Sequence, residues 1–84
     1  MSYWVYVLKS ERDGIRYIGS TQDVNKRLIR HNRGECRFTK GHRPWAIAYQ
    51  EKVRSRKQAI KRERLLKSGA GRKILEDLLH CPVV

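Results

Sequence analysis

Tyr6, Tyr17, Arg27, His31 and Glu63 are residue types from which a metal-dependent phosphodiester-cleaving site can be assembled. Such a site needs an activated water, a fixed cation at the phosphoryl oxygens and assistance to the leaving oxygen. Two phenols, a guanidinium, an imidazole and a carboxylate cover those needs. The tyrosines lie in the apolar runs Val5-Tyr6-Val7 and Tyr17-Ile18-Gly19-Ser20, and Glu63 is the only acidic residue between Glu51 and Glu76.

The elements that must position these side chains are legible in outline. Tyr3 to Lys9 is aromatic and β-branched, Ser10 to Gly14 carries an Asp13-Gly14 turn signal, and Ile15 to Gly19 is apolar again, which predicts a β-hairpin. A turn centred between Glu11 and Arg12 makes Tyr6 and Tyr17 direct cross-strand neighbours, and Asp13-Gly14 is able to shift that register. Ser20 or Thr21 caps a helix running to about Asn32, with Asp23 in its first turn and Gly34 placed to stop it. On that helix Val24, Leu28 and His31 share a face and Arg27 lies on its shoulder. A basic loop through Phe38 to Arg43 precedes a third strand, Trp45 to Val53. Ser55 then opens a helix to about Ser68, Gly69-Ala70-Gly71 interrupts it, and Ile74, Leu75, Leu78 and Leu79 mark a last helix. The predicted fold is α+β, a three-stranded antiparallel sheet flanked by helices in the order ββαβαα, with a frayed tail after Pro82.

Glu63 falls between Ala59, Ile60 and Leu66 at 100° per residue, so its carboxylate sits at the edge of the apolar face of a cationic helix. The structural alternative is an ion pair with Lys67 at i, i+4. Tyr6 and Tyr17 have a comparable alternative as an aromatic cross-strand pair, and Arg27 and His31 as polar positions on a half-exposed helix. Ser68-Gly69-Ala70-Gly71 is better explained as a helix cap than as a phosphate loop.

Composition narrows the partner. The chain of 84 residues has room for one domain, residues 1–84, and one modest core. Twenty Lys and Arg oppose eight Asp and Glu, a net charge of +12 with a pI near 10.4, which points to a polyanion and to nucleic acid first. No apolar run approaches the roughly 20 residues that span a bilayer, and no signal peptide opens the chain, so a cytoplasmic location is expected. Cys36 and Cys81 form no C-x-x-C pair and are read as inert thiols. Lys40 and Arg43 in the basic loop, with Lys61 and Lys67 on the basic helix, are the candidate nucleic-acid contacts. A solvated charged face is the alternative for that run.

Taken together, Tyr6, Tyr17-Ile18-Gly19-Ser20, Arg27, His31 and Glu63 resemble the GIY-YIG endonuclease domain over nearly the whole chain. The resemblance implies that Tyr6 and Tyr17 are the tyrosines of the two half-motifs and Gly19 the glycine where the backbone turns toward the helix. It further implies that Arg27 is the catalytic arginine, that His31 occupies a position held by His or Tyr, and that Glu63 is the sole carboxylate on Mg²⁺ or Mn²⁺. The implied activity is cleavage of DNA with low sequence specificity, on branched, damaged or single-stranded forms, with RNA as an alternative substrate. Tyr6 serves as general base only if its pKa falls from the reference of about 10; otherwise it orients the water. A non-catalytic nucleic-acid-binding module is the competing function. Trp4-Val5-Tyr6 keeps only the tyrosine of the first half-motif, a departure of little weight where the tyrosine serves the chemistry. The lack of an asparagine after Glu63 favours the binding module, and the retention of Tyr6, Arg27 and Glu63 together favours the enzyme.

Overall fold

A computed structural model describes residues 2–80. Its elements are β1 Tyr3–Ser10, β2 Arg16–Thr21, α1 Val24–Asn32, α2 Arg37–Lys40, β3 Trp45–Val53, α3 Arg56–Lys67 and α4 Gly69–His80. The strands form one antiparallel sheet in the order β2-β1-β3. The α+β architecture and the order ββαβαα therefore hold, with α2 added where a loop was expected. The tail beyond Pro82 lies outside the described residues.

The central strand explains the two sides of the molecule. Val5, Tyr6, Val7 and Leu8 are all buried, and successive side chains of a strand point to opposite faces. Val5 and Val7 pack with Ile18, Ala59, Leu66 and Leu75, on the side of α3 and α4. Tyr6 and Leu8 pack with Val24 and Trp45, joined by the partly buried Tyr17 and Leu28, on the side of α1. Helices cover both faces, which is why this strand reads as an unbroken apolar run.

The hairpin turns one residue later than the direct Tyr6–Tyr17 pairing requires. Ser10 Oγ accepts from the amides of Arg12 (3.1 Å) and Asp13 (3.2 Å), and Gly14 takes a positive φ of 78°. Tyr6 consequently faces Gly19, and Leu8 faces Tyr17. The two tyrosines share a face but meet on the diagonal.

Asp23 is itself the cap of α1, its side chain accepting from the Lys26 amide at 3.0 Å, so the helix begins at Val24 rather than at Ser20 or Thr21. Gly34, with φ 82°, follows the helix end as expected. Gly69-Ala70-Gly71 does not separate two helices with a loop; it is the first turn of α4. Ser68 ends α3 by donating to the Leu65 carbonyl and starts α4 by accepting from the Gly71 amide at 3.2 Å. A Cβ at Gly71 would lie 2.0 Å from the Leu65 carbonyl oxygen and 2.5 Å from Leu66 Cα. We expect Gly71→Ala to destabilise the chain by about 1–3 kcal/mol or more, because backbone rather than a flexible side chain must move. Gly69→Ala, where a Cβ meets open space, should stay close to neutral. Thermal melts of the pair check this; equal melting temperatures would contradict the close helix approach.

Candidate active site

The site is built on the α1 face of the sheet. Tyr6 is fully buried, and its hydroxyl lies 3.2 Å from His31 Nε2. The rings of Tyr17 and His31 approach to 4.9 Å between centroids, and those of Tyr6 and Tyr17 to 6.4 Å. Gly19 makes room for this: a Cβ there would stand 2.6 Å from the Tyr6 hydroxyl oxygen. Its place is inside β2, under the tyrosine ring, and not at a turn toward the helix.

His31 is oriented from its other side by Thr39, whose Oγ1 lies 2.8 Å from Nδ1 and itself donates to the Cys36 carbonyl at 3.4 Å. With that hydroxyl hydrogen committed to Cys36, the network assigns the imidazole proton to Nδ1 and leaves Nε2 to accept from Tyr6. Thr39 is fully buried and escaped the sequence reading. It lies on a four-residue helix, too short to display a period, and a threonine in a basic loop carries no signal of its own.

The electrostatics of the cluster favour neutral rings. Burial pushes the Tyr6 pKa up to about 12, Tyr17 adds to the rise, and the nearby Arg27 guanidinium opposes it. Tyr6 is thus a phenol at neutral pH. That state suits the orienting role, and the general-base role requires a further cation to bring the pKa down. Burial holds His31 below its ordinary 6.5, helped by the positive charges of Arg27 and Arg30.

A His with a depressed folded pKa binds fewer protons folded than unfolded. Its contribution to stability is therefore present above pH 6.5 and is lost as pH falls from there toward the folded value. Melting temperature should drop as pH is lowered through that window, and His31→Gln should flatten the slope. An identical slope in the variant would contradict the burial of a neutral imidazole.

Arg27 stands on the shoulder of α1 beside Tyr6. Its Nε is buried without a hydrogen-bond partner among the described residues, and none of the ion pairs among them uses its guanidinium. A half-buried cation without an internal carboxylate keeps its capacity for an external anion.

Glu63 comes from a different element than the residues of this cluster. It lies on α3, whose buried Ala59 and Leu66 pack on the opposite sheet face. Arg62 reaches β3 through Glu51 at 2.7 Å, which leaves Glu63 and Lys67 on the flank turned toward β2. The Glu63 carboxylate pairs there with Lys67 at 3.2 Å, the alternative that the helix spacing allowed. Lys67 and Tyr17 line one groove of about 480 Å³ across the β2 edge, so the groove runs from the ion-pair partner of Glu63 to a ring of the tyrosine cluster.

The four candidate contact residues do not form a single patch. Lys40 ends α2, and the Arg43 side chain folds back on its carbonyl at 2.9 Å. Lys67 borders the groove, whereas Lys61 lies beside Val53 and Leu65 on the far flank of α3. Among the described residues no three His, Cys, Asp or Glu side chains gather as a metal centre, and no helix is long and apolar enough to cross a membrane.

Known proteins match this arrangement. The GIY-YIG catalytic domain profile matches residues 2–74. A UPF0213 protein of Staphylococcus aureus strain Mu3 is 40% identical over 75 residues, covering 88% of this chain and 90% of the relative. A UPF0213 protein of Staphylococcus saprophyticus is 36% identical over the same shares. The solution NMR structure of a UPF0213 protein from Bacillus halodurans superposes with a TM-score of 0.58 at 29% identity, covering 98% of this chain and 89% of that one. The sheet order, the paired tyrosines and the matched span agree: the chain belongs to the GIY-YIG family, whose catalytic domain implies a nuclease-type function on nucleic acid.

Proposed function

We propose that this protein is a divalent-metal-dependent endonuclease that hydrolyses phosphodiester bonds in DNA with low sequence specificity. The observation that carries the reading is Arg27, a half-buried cation without an internal carboxylate partner, held beside the Tyr6–His31–Tyr17 cluster. Its planar donors suit two phosphoryl oxygens at once, and a fixed cation at developing negative charge needs no reorganisation during reaction. Tyr6 acts as an orienting group, donating to His31 Nε2, while Thr39 holds that ring from Nδ1. Tyr17, only partly buried, belongs to the same cluster and lines the groove, and its hydroxyl orients the attacking water.

Glu63 supplies the one carboxylate on the β2 side of α3, with a side chain 25% exposed. A lone carboxylate fits a hard cation such as Mg²⁺ or Mn²⁺, which takes most of its remaining ligands from phosphates and water. When bound, the cation supplies Lewis acidity and a more acidic water. Glu63 would hold it by exchanging Lys67 for the metal, and Lys67 would then be released toward the backbone phosphates. The low specificity follows from a surface rich in charge, which reads backbone rather than bases.

A binding module without catalysis is the second reading, favoured by the Glu63–Lys67 pair, which engages the carboxylate. Cleavage of a panel of duplex, branched, single-stranded and damaged DNA, with RNA counterparts, separates the two when run in Mg²⁺, Mn²⁺ or EDTA. The proposal expects metal-dependent cutting of DNA; binding without cutting under every condition replaces it with the second reading.

A further inference from the structure

Across the outer edge of β2, the groove lined by Tyr17 and Lys67 has an unusual lining for a nuclease surface that reads only phosphates. Phe38, 59% exposed, stands over Tyr17 with ring centroids 6.2 Å apart, and the two rings form one wall. Leu75 closes the floor, while Arg16, Lys67 and Arg72 supply positive charge around it. Phe38 also meets the His42 ring at 5.5 Å, so it is held by aromatic neighbours on two sides while much of its surface stays in water. An exposed aromatic of this size, set on a short helix and ringed by cations, has a better use than core packing.

We propose that this groove is a subsite for one unpaired nucleotide of a DNA strand. The base stacks on Phe38, with the Tyr17 ring as the inner limit of the slot, and the flanking phosphates lie against Arg16, Lys67 and Arg72. The chemistry is that of single-strand binding platforms, where an aromatic face accepts any base and cations track the backbone. A paired base cannot enter, because its faces are already covered by its neighbours in the stack, so the subsite selects strands, flaps or bulges with a free base. The inference rests on the nuclease reading for its biological use, since Tyr17 borders both the slot and the cluster around His31. Its binding chemistry stands without cleavage.

The test is fluorescence anisotropy in EDTA with the full chain and two labelled oligonucleotides of equal length, one thymidine-containing single strand and one abasic strand with the same phosphates. The wild-type chain should hold the thymidine strand more tightly. Phe38→Ala should weaken that complex by roughly 5- to 150-fold and leave the abasic complex unchanged, and Phe38→Trp should restore the preference. Phe38 is largely exposed, so an unchanged melting temperature is expected for both variants. A wild-type chain that binds the two strands equally, or a Phe38→Ala chain that keeps full preference for bases, overturns the subsite. Because no metal is present, failure to cut DNA in a separate assay refutes the nuclease reading and leaves this result intact.

Discussion

Arg27→Lys should lower single-turnover cleavage by roughly 10²- to 10³-fold, close to the loss in Arg27→Ala, while changing DNA affinity by far less. The lysine keeps the charge but replaces a planar fork with a point donor, and the reaction depends on geometry at the phosphoryl oxygens. The fold should tolerate the change, because Arg27 holds no internal carboxylate and its Nε makes no hydrogen bond among the described residues. Removing the charge altogether in Arg27→Ala also removes the influence that opposes the rise of the Tyr6 pKa and one that holds His31 low. The variant should therefore show a shifted pH profile for whatever cleavage remains. Rate and affinity measured on one substrate decide the matter: equal losses in both would assign Arg27 to docking.

Glu63→Gln separates the metal-binding role from the structural one. The change keeps side-chain volume and removes the charge, so cleavage should collapse at all practical concentrations of Mg²⁺ or Mn²⁺ if this carboxylate holds the cation. The cost to the metal-free fold should be only a few tenths of a kcal/mol, the usual worth of an i, i+4 pair between partly exposed partners such as Glu63 and Lys67. Added Mg²⁺ should raise the melting temperature of the wild-type chain and not that of the variant. A Glu63→Gln protein that cuts DNA at the wild-type rate would remove the residue from the site and leave the Lys67 pair as its whole purpose.

Much of this arrangement was legible before any coordinates. Aromatic and β-branched apolar runs bounded by turn signals marked the strands, and Val24, Leu28 and His31 marked the inner face of α1, because burial leaves a pattern in residue type. The identities of Tyr6, Tyr17, Arg27, His31 and Glu63 carried the family resemblance. Offsets were harder. The hairpin register depended on Ser10 gathering two amides and Gly14 taking a positive φ, and neither event shows in the alternation of the strands. Asp23 displaced Ser20 and Thr21 as the helix cap because several cap-forming residues sat in a row, and only geometry chooses among them. Gly69-Ala70-Gly71 looked like a break since glycine is a poor helix former, but Gly71 is required by contact with the α3 backbone, a tertiary demand that overrides propensity. The place of Glu63 was read correctly as the edge of an apolar face. That its helix packs on the sheet face opposite Tyr6 was not readable, because a helical wheel does not say which sheet face its helix will cover.

The alternation along β1 has a consequence for how this protein can fail. Tyr6 sits between Val5 and Val7, and the two valines anchor the opposite core. A slip of one residue in strand pairing would turn Tyr6 toward α3 and drive the valines into the pocket of His31. Such a molecule loses its core at the same moment that it loses its site, so it has no stable fold in which to persist as an inactive impostor. The pairing that builds the two cores is therefore also the pairing that sets Tyr6 beside His31.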